Sequence, residues 1–410
     1  MPLNVLIVPD KFKGTLTAAA ATQAIARGWR KSRPDDQLDL LPMSDGGDGF
    51  GEVVSTLLDA RLQSVRTVNA AHRPCKAAWW WEPKSRFAII ESAKVIGLAM
   101  LPPGKFHPFK LDTFGLGAVL RAAQSKGAKQ SLIGIGGSAT NDGGFGLARA
   151  LGWEFLNCHG QPIHEWTGLK ELASICPPSS GARTAVSAQS NSGEGRREGR
   201  HRSLGADLAV RVPGKFGGAS FGRVTVAVDV QNRLLGARGA TRIYGPQKGI
   251  CPADFDLAER CLRRLALVVK RQFGEDFAAV PGAGAAGGLG FGLLTFLGAK
   301  AEPGFELFAK LAKLEARLRK AALVITAEGA IDHSTLMGKG VGQVARRCRA
   351  LNLPCLGLGG VLAPESRRSK LFTRVGALTD LTDVEQAKSK PAHWLARLAQ
   401  EAADRWSAAD

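Results

Sequence analysis

The chain of 410 residues has no long uninterrupted apolar segment, so nothing in it reads as a membrane span. It has no Cys-x-x-Cys pair. Its seven cysteines are scattered and odd in number, which argues against a zinc site or disulfide framework and for a reducing compartment. Zinc-finger spacing, an aromatic-rich RNA-binding signature and a basic recognition helix are all missing. Acidic residues are in deficit, 36 against 55 Lys and Arg, for a net charge of +19. Such a field attracts any anion, including nucleotides, phosphates and small carboxylates; without a nucleic-acid motif, nucleic acid is not an expected partner. The opening MPLNVLIVPDK has an apolar run shorter than a signal h-region and no basic leader, so a cytoplasmic protein is expected.

What the chain has in plenty is glycine, 50 residues, clustered in loops rather than in a repeat. Its length favours two domains over one core. Short apolar runs alternate with helical patterns: Leu3–Val8 before PDKFKGTLT, Leu38–Pro42 before MSDGGDG, Ser131–Ile135 before GGSATNDGG, Ala322–Thr326 before AEGAID, and Pro354–Leu358 before GGV. That alternation predicts α/β units and a largely parallel sheet. Ala77–Trp81 and Phe87–Glu91, bridged by EPKSR, read instead as a β-hairpin where a second domain begins. Residues 177–206 are rich in Ser, Gly and Arg and poor in large apolar residues, which predicts a mobile surface insertion within a domain.

In open α/β sheets, ligands collect at the carboxyl ends of the strands. The residues that follow the predicted strands are therefore pooled: Asp10, Lys11 and Lys13; Ser44, Asp45, Gly46, Gly47 and Asp48; Gly136, Gly137, Ser138, Thr140, Asn141 and Asp142; Asp229, then Gln247 and Lys248; and Glu328, Asp332 and Lys339. Carboxylates can hold a metal or act as a base, lysines can meet developing phosphate charge, and glycine loops expose backbone N–H groups. No histidine is paired with an evident nucleophile. The set suits phosphoryl transfer better than acyl or hydride transfer, because that reaction needs mainly positioning and electrostatic stabilisation. Taken singly, each motif reads equally well as a turn or a helix cap, and Glu328 and Asp332 as charges favoured by a helix N-terminus. The stretch Gly282–Gly287 matches G-x-G-x-x-G, but it follows a proline rather than a strand, so close packing explains it as well as cofactor binding. GKG at Gly338–Gly340 is not a Walker A loop.

Together these stretches resemble the type I glycerate kinase family, in the family's order: VPDKFKGTLT, PMSDGGDG, IGIGGSATNDGGFG, DVQNRLLGARGATRIYGPQKG, VPGAGAAGGLG (with Gly287 and Gly288) and LVITAEGAIDHSTLMGKG. The resemblance implies an α/β protein of two domains with the active-site cleft between them. One is a discontinuous Rossmann/flavodoxin-like parallel-sheet domain, residues 1–66 plus 283–410. The other is an inserted α/β domain with a mixed sheet, residues 67–282. It implies ATP and Mg²⁺, D-glycerate as the small-molecule substrate and 2-phosphoglycerate in preference to 3-phosphoglycerate as product. Lys13, Asp45 and Asp332 are the expected catalytic residues, and Asp45, Asp229 and Asp332 the expected metal ligands. Asp10, Gly46, Gly47, Gly136, Gly137, Ser138, Thr140, Asn141, Asp142, Gln247, Lys248, Gly287, Gly288, Glu328 and Lys339 are the expected binding residues. A homodimer is a further expectation.

The chain departs from the family pattern at several positions. It has Lys11 for Ser, Asp48 for Glu, GLG at Gly115–Gly117 for GTG and NRL at Asn232–Leu234 for NPL. At Ala327–Asp332 it reads AEGAID where the family has GEGRID. The missing Arg at Ala330 is the change that favours the alternative reading, a glycerate-kinase-like binding protein with weak or no turnover. Lys11 is an extra cation in the same pool, and compensation by it is the competing expectation. The 177–206 insertion exceeds the family's usual connection and is expected to be dispensable for catalysis.

Overall fold

The computed structural model describes residues 2–178 and 221–406. Apart from Pro177 and Pro178, the expected insertion at 177–206 lies outside the described residues. In chain order the described strands are β1 (Asn4–Ile7), β2 (Gln37–Leu40), β3 (Arg61–Val68), β4 (Pro74–Glu82), β5 (Phe87–Glu91), β6 (Gln130–Gly134), β7 (Glu154–Asn157), β8 (Leu172–Cys176), β9 (Arg223–Val228), β10 (Lys300–Pro303), β11 (Leu323–Ile331), β12 (Cys355–Leu362) and β13 (Arg374–Ala377).

One sheet has the order β13-β12-β11-β1-β2, and every neighbouring pair is parallel. Its strands are apolar on both faces because helices cover both faces. Val5 and Ile7 pack with Ile25, Trp29 and Leu395 from helices Ala18–Ser32 and Pro391–Asp404. Leu6 and Val8 pack with Phe305, Phe308, Val341 and Val344 from helices Gly304–Leu311 and Gly340–Ala350. Thr17 caps the first helix, its hydroxyl accepting from the Ala20 N–H at 3.1 Å. Gly28 lets the C-terminal helix lie close: a Cβ there would stand 1.9 Å from the Ala396 carbonyl oxygen.

The second sheet has the order β10-β9-β6-β5-β4-β3. It is parallel from β10 to β5 and antiparallel from β5 to β3. The predicted hairpin is β4 and β5, with Trp80 opposite Ile89. β7 and β8 form a separate antiparallel pair.

Two strands are longer than their apolar runs. β11 continues through AEGAI to Ile331, and β12 through Gly359–Gly360 to Leu362, so Glu328 and Ala330 lie on a strand rather than in the expected loop. The two strands extend each other: Glu328 pairs with Gly359 and Ala330 with Val361, and mutual backbone hydrogen bonding outweighs the low strand preference of the glycines. We propose that the two domains divide by sheet membership. β3 and β10 both belong to the mixed sheet, which puts the crossings between 41 and 60 and between 304 and 322, rather than at 66/67 and 282/283.

Candidate active site

The carboxyl ends of β1, β2 and β11 in one sheet meet those of β5, β6 and β9 in the other. The loops touch backbone to backbone. The Gly136 N–H donates to the Gly46 carbonyl at 3.3 Å, and a Cβ on Gly304 would lie 1.7 Å from the Asp45 carbonyl oxygen and 2.8 Å from Asp229 Oδ1. Glycine is required there because two backbones and a carboxylate converge on one point.

Four carboxylates gather at this junction. Asp45, after β2, hydrogen-bonds Asp229, after β9, and Asp10 and Glu328 lie within their electrostatic reach. Burial, then Asp45, raises the Asp10 carboxyl to about 7 against the opposing charge of Lys11. Burial, then Asp10, Asp332 and Asp45, raises Glu328 to about 8, although the Thr335 hydroxyl donates to it at 2.6 Å. Asp229 keeps solvent access at the cleft mouth; enclosure by the two sheets, then Asp45 and Asp10, pushes its carboxyl strongly upward. Like charges in a poorly solvated place favour protonation, and a cation there would relieve the same repulsion.

The available cations are lysines. Lys11 Nζ donates to the Asp48 carbonyl at 2.9 Å. Lys13 is exposed and no ion pair engages it among the described residues. Asp332 caps the turn His333–Leu336, its Oδ1 accepting from the Ser334 N–H at 2.8 Å and the Ser334 hydroxyl at 2.6 Å. These hydrogen bonds, with the nearby Lys339, hold its carboxyl below the usual range. Lys339 is exposed and precedes the helix Gly340–Ala350, which starts beside Asp10: a Cβ on Gly340 would lie 3.4 Å from Asp10 Oδ2.

The long glycine loop Gly134–Gly144 laces the two sides of the junction together. Its first half docks on the 45–48 loop, where a Cβ on Gly136 would meet the Gly47 Cα at 2.6 Å. Its second half docks on the helix Ala285–Leu297: a Cβ on Gly287 would meet the Thr140 carbonyl oxygen at 1.9 Å, and one on Gly288 the Gly143 Cα at 2.8 Å. The amides of Gly136, Ala139, Thr140, Gly143 and Gly144 all donate to acceptors within the protein. The anion at the start of helix Phe145–Ala150 is Asp142 itself. It is fully buried and accepts from the Gly146 N–H (2.9 Å), the Thr113 N–H (3.0 Å) and the Thr113 hydroxyl (2.7 Å). Burial, then Asp112, raises it to about 6. Ser138 and Thr140 hydrogen-bond each other at 2.9 Å, and Asn141 donates to the Thr241 hydroxyl at 3.0 Å.

Lys248 belongs to this second cluster. It is buried, donates to the Thr140 carbonyl at 2.6 Å, and is lowered to about 7 by desolvation against the pull of Asp142. Gln247, beside it, is exposed. The structure thus brings Asp10, Lys13, Asp45, Gly46, Gly47, Asp229, Glu328, Asp332 and Lys339 to one junction. It places Ser138, Thr140, Asn141, Asp142, Lys248, Gly287 and Gly288 in a packed layer behind it. Sequence reasoning passed over Glu91, which ends β5, is buried, and accepts from the Gly49 and Gly51 N–H groups, both at 3.0 Å. A carboxylate closing the apolar run FAII was the signal, hidden because that run read as a hairpin strand. Thr113 and Asp112, which hold the Asp142 layer, carried no motif.

Among the described residues no three His, Cys, Asp or Glu side chains form a metal-holding group. Mg²⁺ does not demand one, since one or two carboxylates and substrate phosphates commonly complete its shell. The Asp45–Asp229 pair fits that requirement; Asp332 spends one oxygen on its cap. No described helix is long and apolar enough to cross a membrane.

Facing sheet ends that carry paired carboxylates and lysines, and no histidine–nucleophile pair, are equipped to move a phosphoryl group. A sequence profile described as "Glycerate kinase family" matches residues 5–188 and 219–407. The chain therefore belongs to the glycerate kinase family and is a kinase. It is 35% identical to a glycerate kinase of Halalkalibacterium halodurans over 88% of this chain and 86% of that one. It is 32% identical to the glycerate 2-kinase of Escherichia coli, again over 88% and 86%. A crystal structure of a protein assigned as glycerate kinase 2 from Salmonella typhimurium superposes with a TM-score of 0.76 at 30% identity, covering 98% of both chains. The fold is thus the expected one. Residues 189–218 fall between the two matched stretches.

Proposed function

We propose that the chain transfers the γ-phosphoryl group of ATP to the 2-hydroxyl of D-glycerate, giving 2-phosphoglycerate and ADP. The observation that carries this reading is the Asp45–Asp229 pair within electrostatic reach of Lys11, in a chain of this family. The hydroxyl oxygen bonds to the γ-phosphorus, the bond to the β–γ bridging oxygen breaks, and the hydroxyl proton departs. The transition state is loose, so charge neutralisation and alignment matter more than early deprotonation. Mg²⁺ held by Asp45 and Asp229 would neutralise phosphate oxygens. Lys13, which no ion pair engages among the described residues, meets the charge on the transferred group, and Lys11 adds a second cation in a chain that lacks the family's arginine. Asp10 receives the proton at Oδ2, since Oδ1 already accepts from the Lys11 N–H at 2.7 Å. Asp332, through its cap, fixes the turn that leads to Lys339.

The test is a turnover assay with D-glycerate, L-glycerate and no acceptor, with the product phosphate mapped by ³¹P NMR. Transfer to the 2-oxygen of D-glycerate is expected. Phosphate on the 3-oxygen overturns the regiochemistry, and no transfer to D-glycerate overturns the acceptor.

A further inference from the structure

The turn Lys11–Ala19 and the segment Pro42–Thr56 enclose a cavity of about 430 Å³ next to the carboxylate junction. Its wall is apolar, from Leu16, Ala18, Met43 and Val53, and its rim carries Lys11, Lys13 and Lys94. Ser44 also lines it; that side chain is buried, its Oγ is closed off from solvent, and it has no hydrogen-bond partner among the described residues. Asp48, Glu52 and Glu91 border the cavity. Glu91 is held by the two backbone amides described above, and Glu52 pairs with Lys94 at 3.0 Å.

We propose that this cavity holds the nucleoside of the phosphate donor, with Lys11 and Lys13 leading its phosphates to the carboxylate junction. This rests on the ATP-dependent reading above. A three-carbon hydroxy acid is polar throughout, would fill a fraction of this volume and would leave the apolar wall without a partner. A purine nucleoside has the opposite character: flat apolar faces for the wall and a polar edge for the lysines at the rim. Volume and lining both fall within the range of small-molecule and cofactor sites. Lys11 borders the cavity and also acts electrostatically on Asp10 and Asp229, so a chain of phosphates leaving the cavity past Lys11 arrives at the paired carboxylates. The acceptor is then left the opposite side of the junction.

Two substitutions fill the cavity from different walls at exposed positions, Ala19→Trp and Thr56→Trp. Calorimetric titration of the full chain with the non-hydrolysable analogue AMP-PNP and Mg²⁺, and separately with D-glycerate, reads the two ligands independently. Each variant is expected to lose about tenfold or more in nucleotide affinity while D-glycerate affinity stays within about twofold. Nucleotide affinity equal to wild type in both variants, with wild-type turnover of D-glycerate intact, overturns the cavity assignment and leaves the kinase reading standing. A fall in D-glycerate affinity alone makes the cavity the acceptor's site and overturns the proposal. If wild type binds nucleotide but transfers nothing to D-glycerate, the acceptor reading falls, and loss of nucleotide binding in the variants still supports the cavity. A wild-type chain that binds no AMP-PNP overturns both.

Discussion

Asp45 and Asp229 come from different sheets, 184 positions apart in sequence, and share a hydrogen bond. Asp45→Asn keeps the shape and removes the charge. We expect kcat to fall by about 10²–10³, the loss typical of removing a group that stabilises transferring charge, with the far-UV circular dichroism spectrum unchanged; activity near wild type would exclude Asp45 from the reaction. Lys11 bears on the missing arginine of AEGAID. Lys11→Ser should lower kcat/KM about tenfold, and Ala330→Arg in that background should restore part of the loss. Unchanged turnover in the Lys11 variant would end the compensation argument. The carboxylates at the junction were legible as strand-end residues, because the rule that ligands gather at strand ends needs only the order of apolar runs and loops. Their grouping was not. Asp10, Asp45 and Glu328 are drawn together by strand order, whereas Lys248 and Asp142, which read equally well as site residues, lie in a buried layer.

The element that starts the fold, β1, is tied to the helix Ala18–Ser32 by Asp36. Its buried carboxylate accepts from the Leu3 N–H and the Trp29 indole N–H, both at 2.9 Å, and from Arg33 at 2.6 Å. Burial acts to raise this carboxyl, and the hydrogen bonds from Arg33, Leu3 and Trp29 outweigh it and hold it below its ordinary value. A depressed carboxyl contributes stability above its unfolded pKa of about 3.9 and loses it as pH falls through the folded value. Asp36→Asn should therefore cost about 1–3 kcal/mol near neutrality, with the gap to wild type shrinking at strongly acidic pH. Urea melts at pH 7 and at low pH check both statements; an equal gap at both would show that the charge is not what matters. His72 behaves in the opposite sense. Its hydrogen bond to Asp112 at 3.0 Å raises it above 6.5, so its contribution is full below that value and fades as pH rises through the folded pKa. Strand runs were readable locally. The extension of β11 and β12 was not, because it depends on a partner strand supplying hydrogen bonds to a glycine-rich stretch.

Gly304 is the point where the two sheets lean on each other. Gly304→Ala would drive a Cβ into the Asp45 carbonyl, so we expect at least a tenfold loss of kcat from displacement of that loop, in a chain that still folds. Wild-type turnover would mean the loops yield without consequence. The family profile passes over 189–218, and deleting those residues should leave kcat and KM within about twofold, since none of the junction residues lies there. Loss of activity in a folded deletion variant would assign the segment a working part.

Composition and periodicity settled the class of this protein: alternating apolar runs and helices predict α/β units with a largely parallel sheet, and a chain without metal-cysteine motifs or nucleophile pairs, but with carboxylates, lysines and glycines after its strands, is suited to phosphoryl chemistry. Those properties are local, and local order survives in one dimension. Which carboxylates lie near one another, which glycines meet a neighbouring backbone, and that Asp142 accepts from the amides of its own helix terminus are properties of distance. They arise where β9 lies across from β2 and where the helix Ala285–Leu297 lies against Gly143, contacts between segments more than a hundred residues apart whose positions no local spacing encodes.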